Sequence, residues 1–462
     1  MKNSKFNGPF CFTNPKNTFL LRFFSEILQK GIRHVFAILS GNRVGRHVSP
    51  AFINFKVLLF IFFLTSCGQQ ASSRNTETPE TIKEPVIPAI ATINTGADRT
   101  AEYLPLLRGK RVGIVANPSS IIFKDEDKKA YVHLVDSLLS RGVDIRKVFA
   151  PEHGFRGNVE AGGTVKDGKD PKTGLPVLSI YGNNKKPKPE QLKDIDILLF
   201  DLQDVGVRFY TYISTLHYVM EACAETGKSI VILDRPNPNG HFTDGPVLNP
   251  KYKSFIGMHP IPVAHGMTIG EYALMINGEK WLANGIQCPV AVITCTGYTK
   301  DMPYDLPVRP SPNLPNAQSI NLYPSTCFFE GTNVNEGRGT DKQFQVYGSP
   351  YLPAEKYPYT YTPQPNAGSK DPKNKGKVCH GEDLSGTERL HRIELRWLIG
   401  AYRNTTKKEA FFTDFFVKLA GTPQLRQQIE AGVTEDEIRE SWREGLERFA
   451  KTRQKYLLYK DS

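Results

Sequence analysis

Four short apolar runs in this chain each stop at residues that can do chemistry. Residues 111–116 run into Asn117-Pro118-Ser119-Ser120, and residues 145–150 run into Pro151-Glu152-His153-Gly154-Phe155-Arg156-Gly157. Residues 195–200 run into Asp201-Leu202-Gln203-Asp204 and on through Arg208 to Tyr210, and residues 229–233 run into Asp234-Arg235-Pro236-Asn237. Carboxylates and an imidazole move protons when positioned beside a reacting group. The same groups can also hold a divalent ion. Guanidinium groups match a carboxylate through two parallel hydrogen bonds, and amides read polar substituents. Further along come His265 before Thr268-Ile269-Gly270-Glu271, the stiff segment Arg309-Pro310-Ser311-Pro312-Asn313, and a dense polar stretch carrying Glu330, Asn333, Glu336 and Arg338. Thr268 with Glu271 three residues on is a helix capping box, which gives Glu271 a structural use at least as good as a catalytic one. A loop as rich in glycine and hydrogen-bonding groups as residues 329–340 suits binding better than packing.

These residues need elements to hold them. The four runs are short, β-rich and mainly apolar, and helical patterns over 131–140 and 210–225 alternate with them. Strand–helix–strand repetition predicts an α/β fold, a parallel sheet with helices on both faces. In such a sheet the carboxyl ends of the strands share one edge, and ligands bind in the crevice there. Four consecutive strands would then deliver carboxylates, a histidine, guanidinium groups and amides to one place. A dinucleotide site needs a glycine-rich turn after the first strand. Asn117-Pro118-Ser119-Ser120 has no glycine, so NAD, FAD and ATP are not expected, and no cofactor or metal is assigned. Residues 155–190 read as an insertion, 350–377 as a Pro-, Tyr- and Lys-rich stretch, and 394–419 and 435–458 as helical.

Composition narrows the class. With 462 residues, 39% hydrophobic and 23% charged, the chain is globular and long enough for two domains. The net charge of +12 is concentrated at the start: residues 1–67 hold nine Lys and Arg against the single acid Glu26, a charge of +8, which leaves +4 for the rest. That is no nucleic-acid signature, and no nucleic-acid partner is expected. Residues 57–65 form an apolar run behind Lys56, too short for a bilayer, which needs about 20 residues, but suited to a signal-peptide core. The run ends in Leu64-Thr65-Ser66-Cys67-Gly68, which resembles a bacterial lipobox. Cys67 is therefore the expected lipidation site, residues 1–67 the leader, and 68–97 a polar tether of disordered composition. The anchor implies a membrane partner and a place in the cell envelope, facing the periplasm or exterior. The long stretch before the apolar run suggests that translation starts nearer residues 48–53 than at Met1. The remaining cysteines (Cys223, Cys288, Cys295, Cys327 and Cys379) are odd in number and lack CxxC spacing, so buried thiols are expected.

Several motifs, in order over residues 100–460, carry a resemblance. PEHGFRG at 151–157, DLQDVGVRFYTY at 201–212, DRPNPNG at 234–240, PSPNLP at 310–315, FEGTNVNEGRGT at 329–340 and RQKYLLY at 453–459 resemble the NamZ-type exo-β-N-acetylmuramidases. The resemblance implies release of terminal N-acetylmuramic acid from the non-reducing end of peptidoglycan-derived saccharides. It also implies a Rossmann-like domain without a nucleotide, set at residues 98–300, followed by a smaller α+β domain at 301–462, with the site between them. No Trp occurs in residues 301–309, where the resemblance implies one.

Glycoside hydrolysis generally uses two carboxylates flanking the scissile bond. Glu152 is the leading candidate, with His153 beside it to tune or assist proton transfer. Its partner is open among Asp201, Asp204, Glu330 and Glu336. Arg208, Arg235 and Arg338 are candidates to grip the lactyl carboxylate of muramic acid, and Asn237, Asn313 and Asn333 to read the N-acetyl group. Asn117, Arg156, Gln203, Tyr210, Asp234 and His265 complete the expected substrate-binding set. Two other classes fit the same residues: a lipoprotein that binds muropeptides without cleaving them, and a metal-dependent hydrolase built on His153, Asp201, Asp204 and Asp234.

Overall fold

The computed structural model describes residues 92–461, apart from 126, 158–162 and 164. The expected leader, lipidation site and most of the expected tether lie outside the described residues. The described residues belong to one compact unit.

Its centre is a sheet of strands β1 (Val112–Ala116), β4 (Ile145–Ala150), β6 (Pro176–Ser179), β7 (Ile197–Asp201), β8 (Ser229–Leu233) and β9 (Val290–Ile293). These six run parallel in the order β6-β4-β1-β7-β8-β9, and the short β5 (Gly168–Lys169) pairs antiparallel at the β6 edge. That is the 3-2-1-4-5-6 order of a Rossmann sheet, whose winding reverses between β1 and β7. Side chains alternate between two cores, as the period of two requires. Val112, Ile114, Ala116, Ile197, Leu199, Val231 and Leu233 join one core with Tyr103, Leu134 and Leu138. Val115, Leu198, Phe200, Ile230 and Ile232 join the other with helices Tyr212–Glu225 and Ile269–Gly278. The second core continues without a break into residues 314–449, so the C-terminal half is packed onto one face of the sheet. That half carries a three-stranded antiparallel sheet, β10 (Val346–Ser349), β12 (Cys379–Asp383) and β11 (Tyr359–Tyr361), in that order, amid short helices.

Some elements differ from the sequence reading. The helix expected over 131–140 begins only at Leu134, because β3 (Tyr131–His133) pairs in a hairpin with β2 (Ile121–Phe123). His133 then caps the helix, its Nδ1 accepting the Val135 N–H at 3.2 Å. The helical stretch 394–419 is broken: Arg396–Asn404 stops where Thr405 turns extended, and Phe415–Ala420 starts a separate helix. Residues 435–458 divide into Glu435–Glu440, Arg443–Arg453 and a 3₁₀ turn at Gln454–Tyr456. The five cysteines of the described residues are free and buried, as their spacing implies.

Candidate active site

Glu152 leaves β4 at a sharp turn. His153 and Gly154 both adopt positive φ, 71° and 74°, and the Gly154 N–H donates to the Pro151 carbonyl at 3.0 Å. A non-glycine residue in this region costs roughly 1–2 kcal/mol, a strain that persists where surrounding structure fixes it. His153 is buried, while Glu152 stays partly exposed. The Glu152 Oε2 accepts the Thr211 hydroxyl at 2.9 Å, and the Tyr181 phenol lies near enough to feel the charge of this carboxylate. Burial first, then the charge of Glu152, raises the Tyr181 phenol, so it remains a donor. Tyr181 follows β6 and Thr211 ends the segment after β7, so three strand ends converge on one carboxylate.

Glu152 opens onto a cleft of about 590 Å³ whose other wall comes from the C-terminal half: Glu330, Glu336, Arg338, Gly368 to Asp371, Lys373 and Phe415. The loop that carries the first three is folded by glycine. Gly337 and Gly339 take φ of 82° and 81°, and a Cβ would stand 2.5 Å from the Lys342 carbonyl at the first and 2.6 Å from the Pro372 ring at the second. Between them Arg338 reaches two carboxylates, donating to Glu330 Oε1 at 2.6 Å and meeting Glu336 Oε1 at 3.2 Å. Burial acts to lower this guanidinium, but the two carboxylates outweigh it and leave it raised. Glu152, held by the Thr211 hydroxyl, thus shares a cleft with carboxylates held by cations. Differently surrounded carboxyl groups are what acid–base chemistry on a glycosidic bond requires.

Most of the other expected site residues are turned inward. Asp201 is fully buried in a two-point pair with Arg235, at 2.6 and 2.9 Å, and Arg235 donates as well to the Ile121 carbonyl. This guanidinium is therefore taken up within the fold and is not the carboxylate grip expected. Arg208 is likewise an internal brace: its four Nη donations go to the carbonyls of Pro246, Ile261, Leu419 and Ala420 at 2.7–2.9 Å. Asp204 lies 3.7 Å from His265 Nε2. Burial pushes the acid up to about 7 and the imidazole down to about 3, so that at mildly acidic pH the two meet uncharged. Asp234 accepts from Thr268 and Tyr459 at 2.7 Å and from the Gly270 N–H at 2.8 Å, and burial raises it to about 6. Glu271 completes the capping box and pairs with Lys300, which fixes its structural use.

The neutral polar residues follow the same pattern. Asn117 donates to the Tyr212 hydroxyl and accepts from Ser119; Gln203 donates to the Asp204 and Pro236 carbonyls; Asn237 donates to the Met267 carbonyl. The Tyr210 hydroxyl donates to the Pro310 carbonyl at 2.5 Å. Arg156 pairs with Asp136 and Asp170 and holds the latter down to about 2. Asn333 donates to the Lys407 carbonyl. Asn313 stands just behind the cleft wall, donating to the Gly368 carbonyl at 2.8 Å. The donors proposed for a metal, His153, Asp201, Asp204 and Asp234, are not brought together, and among the described residues no group of three His, Cys, Asp or Glu is placed to hold an ion.

Sequence reasoning missed Tyr181, Thr211, Lys370 and Lys373. Thr211 lies inside the DLQDVGVRFYTY motif, a usable signal. Tyr181 sits in what reads as an insertion, and the lysines in a stretch whose composition reads as a connector.

Known proteins are similar to this chain in sequence and fold. The family described as exo-beta-N-acetylmuramidase NamZ, N-terminal, matches residues 112–318, and its C-terminal counterpart matches residues 321–459. The peptidoglycan beta-N-acetylmuramidase NamZ of Bacillus subtilis (strain 168) is 38% identical over 424 residues, covering 87% of this chain and 97% of that protein. Two DUF1343 family crystal structures from Bacteroides fragilis NCTC 9343 share the fold. One is 46% identical with a TM-score of 0.73, covering 80% of this chain and 99% of its own; the other is 29% identical with a TM-score of 0.69, covering 80% and 100%. Matched in order along both halves and nearly full length to its Bacillus relative, the chain belongs to the NamZ exo-β-N-acetylmuramidase family.

Proposed function

We propose that this protein is an exo-acting glycoside hydrolase that releases terminal β-linked N-acetylmuramic acid from the non-reducing end of peptidoglycan fragments. The observation that carries this reading is the cleft in which Glu152 meets the Glu330–Arg338–Glu336 group, in a chain of this family. Glu152 moves the proton to and from the glycosidic oxygen, with the Thr211 hydroxyl fixing its carboxylate and the Tyr181 phenol nearby. The second carboxylate is Glu330 or Glu336. Arg338 and Lys370 give the cleft positive groups that complement a sugar bearing a lactyl carboxylate. The purified protein should release the chromophore from an aryl β-N-acetylmuramide and not from its β-N-acetylglucosaminide counterpart, with chelator present. No release from either, together with tight muropeptide binding, would replace this reading with that of a binding protein.

The lipobox-like sequence supports a place in the envelope, with Cys67 acylated and the enzyme tethered to a bacterial membrane on its periplasmic or outer side. The chain produced in a lipoprotein-processing host should partition into detergent, and Cys67→Ser should move it to the aqueous phase. Equal partitioning of the two would refute the anchor.

A further inference from the structure

Lys373 comes from the Pro-, Tyr- and Lys-rich stretch and reaches into the loop that carries Glu330, Glu336 and Arg338. Its ammonium donates to the carbonyls of Phe329 at 2.6 Å and Val334 at 2.8 Å, lies 3.4 Å from the Glu330 carbonyl, and meets Glu336 Oε2 at 3.4 Å. Three N–H donors are thereby shared among loop carbonyls and one carboxylate. The other oxygen of Glu336 faces Arg338 Nε at 3.2 Å. Glu336, only 2% exposed, is thus held by a separate cation on each oxygen. The lysine is itself anchored by Asn335, which donates to its carbonyl at 2.9 Å; the next residue ties the loop independently, Asn374 donating to the Asn333 carbonyl at 3.0 Å.

We propose that Lys373 is a positioning residue of the active site: it fixes the Glu336 carboxylate and the loop beneath it, and so sets the wall of the cleft into which Glu152 opens. The inference rests on the hydrolase reading above. Loop-bracing alone would make Lys373 interchangeable with Asn374, which ties down the same loop without touching Glu336. Positioning instead makes Lys373 and Glu336 act as a unit, and residues that act so are non-additive.

The test measures kcat and KM on an activated aryl muramide for the wild type, Lys373→Met, Glu336→Gln, the double variant, and Asn374→Gly. Glycine at 374 suits its φ of 59° while removing the amide. We expect Lys373→Met to lower kcat about tenfold or more with KM within about twofold, and to add less than about twofold once Glu336 is Gln. Asn374→Gly should lower Tm while keeping kcat within about twofold of wild type. Independent, multiplying losses in the double variant would overturn the proposal, as would an equal fall in kcat from Asn374→Gly at equal loss of Tm. Should Lys373→Met fail to fold, Lys373→Arg carries the same cycle, since it keeps the charge and alters the fit to the carbonyls. A wild type that releases nothing from the muramide defeats the hydrolase reading itself, whereas an active wild type with multiplying losses defeats only the role of Lys373.

Discussion

The ends of β7 and β8 carry Asp201, Asp204 and Asp234, and the end of β4 carries Glu152; all four leave the same edge of one sheet. The three aspartates are buried and each meets internal partners: Arg235, the Gly206 N–H with His265 nearby, and Thr268 with Tyr459. Glu152 is partly exposed, and its neighbours across the cleft belong to the other half of the chain. The contrast separates two uses of polar residues at strand ends. A carboxyl group bonded within the fold holds loops together, because an unmatched buried charge would be costly. A carboxylate left partly open, with its neighbours aimed at a void, is available to a ligand.

The sharpest way to break that contrast is to change Glu152. Glu152→Gln keeps shape and the Thr211 hydrogen bond while removing proton transfer, so kcat/KM for the aryl muramide should fall about 10²–10⁴-fold. Its Tm should shift little, since the side chain is not buried. A variant that stays active, or one that unfolds, would put Glu152 with the aspartates.

The complementary change is Arg235→Met. It strands Asp201, fully buried, without the guanidinium that holds both of its oxygens. Breaking a buried pair from one side costs about 3–5 kcal/mol, so the urea midpoint should drop sharply. The folded fraction should keep the wild-type KM for the muramide. A stable variant with raised KM would restore Arg235 to the substrate site.

How much of this was legible in the sequence follows from the same contrast. β1, β7 and β8 read directly, because parallel strands buried on both faces are nearly continuous apolar runs, and β4 reads from Val148-Phe149-Ala150, with Arg146 exposed and Lys147 half-buried in the same strand. β9 is only half buried and β12, Cys-His-Gly-Glu-Asp, is polar, so neither stands out as a run. Glu152 was visible as the acid just after a strand, and Glu330, Glu336 and Arg338 as a polar loop too dense for packing. What composition could not show is which charges find partners inside. Arg208, Arg235 and Arg338 look alike in the sequence, and only tertiary distance separates a guanidinium held by backbone carbonyls from one facing a cleft. Lys373 was hidden for the same reason: its role depends on a loop more than thirty residues earlier.

The most gradual expected effect is a slope, and it tests whether burial keeps Asp204 protonated beside His265. The Asp204 carboxyl titrates near 3.9 in an unfolded chain and near 7 in the fold, where burial opposes its charge. Between those values the folded protein keeps a proton that the unfolded chain has lost, so this group makes stability fall as pH rises from about 4 to about 7, then level off. His265 acts in the opposite sense. Its folded value near 3 lies below the ordinary 6.5, so its contribution is present at neutral pH and declines as pH falls from about 6.5 toward 3. Asp204→Asn removes the first dependence and leaves the second, and its side-chain oxygen can still accept the Gly206 N–H. The stability of this variant relative to wild type, from urea melts, should therefore climb between pH 4 and 7 by at most about 1.4 kcal/mol per pH unit and stay constant above. A difference that is flat across that range would mean that burial does not raise Asp204 and that it is already ionised in the fold above pH 4.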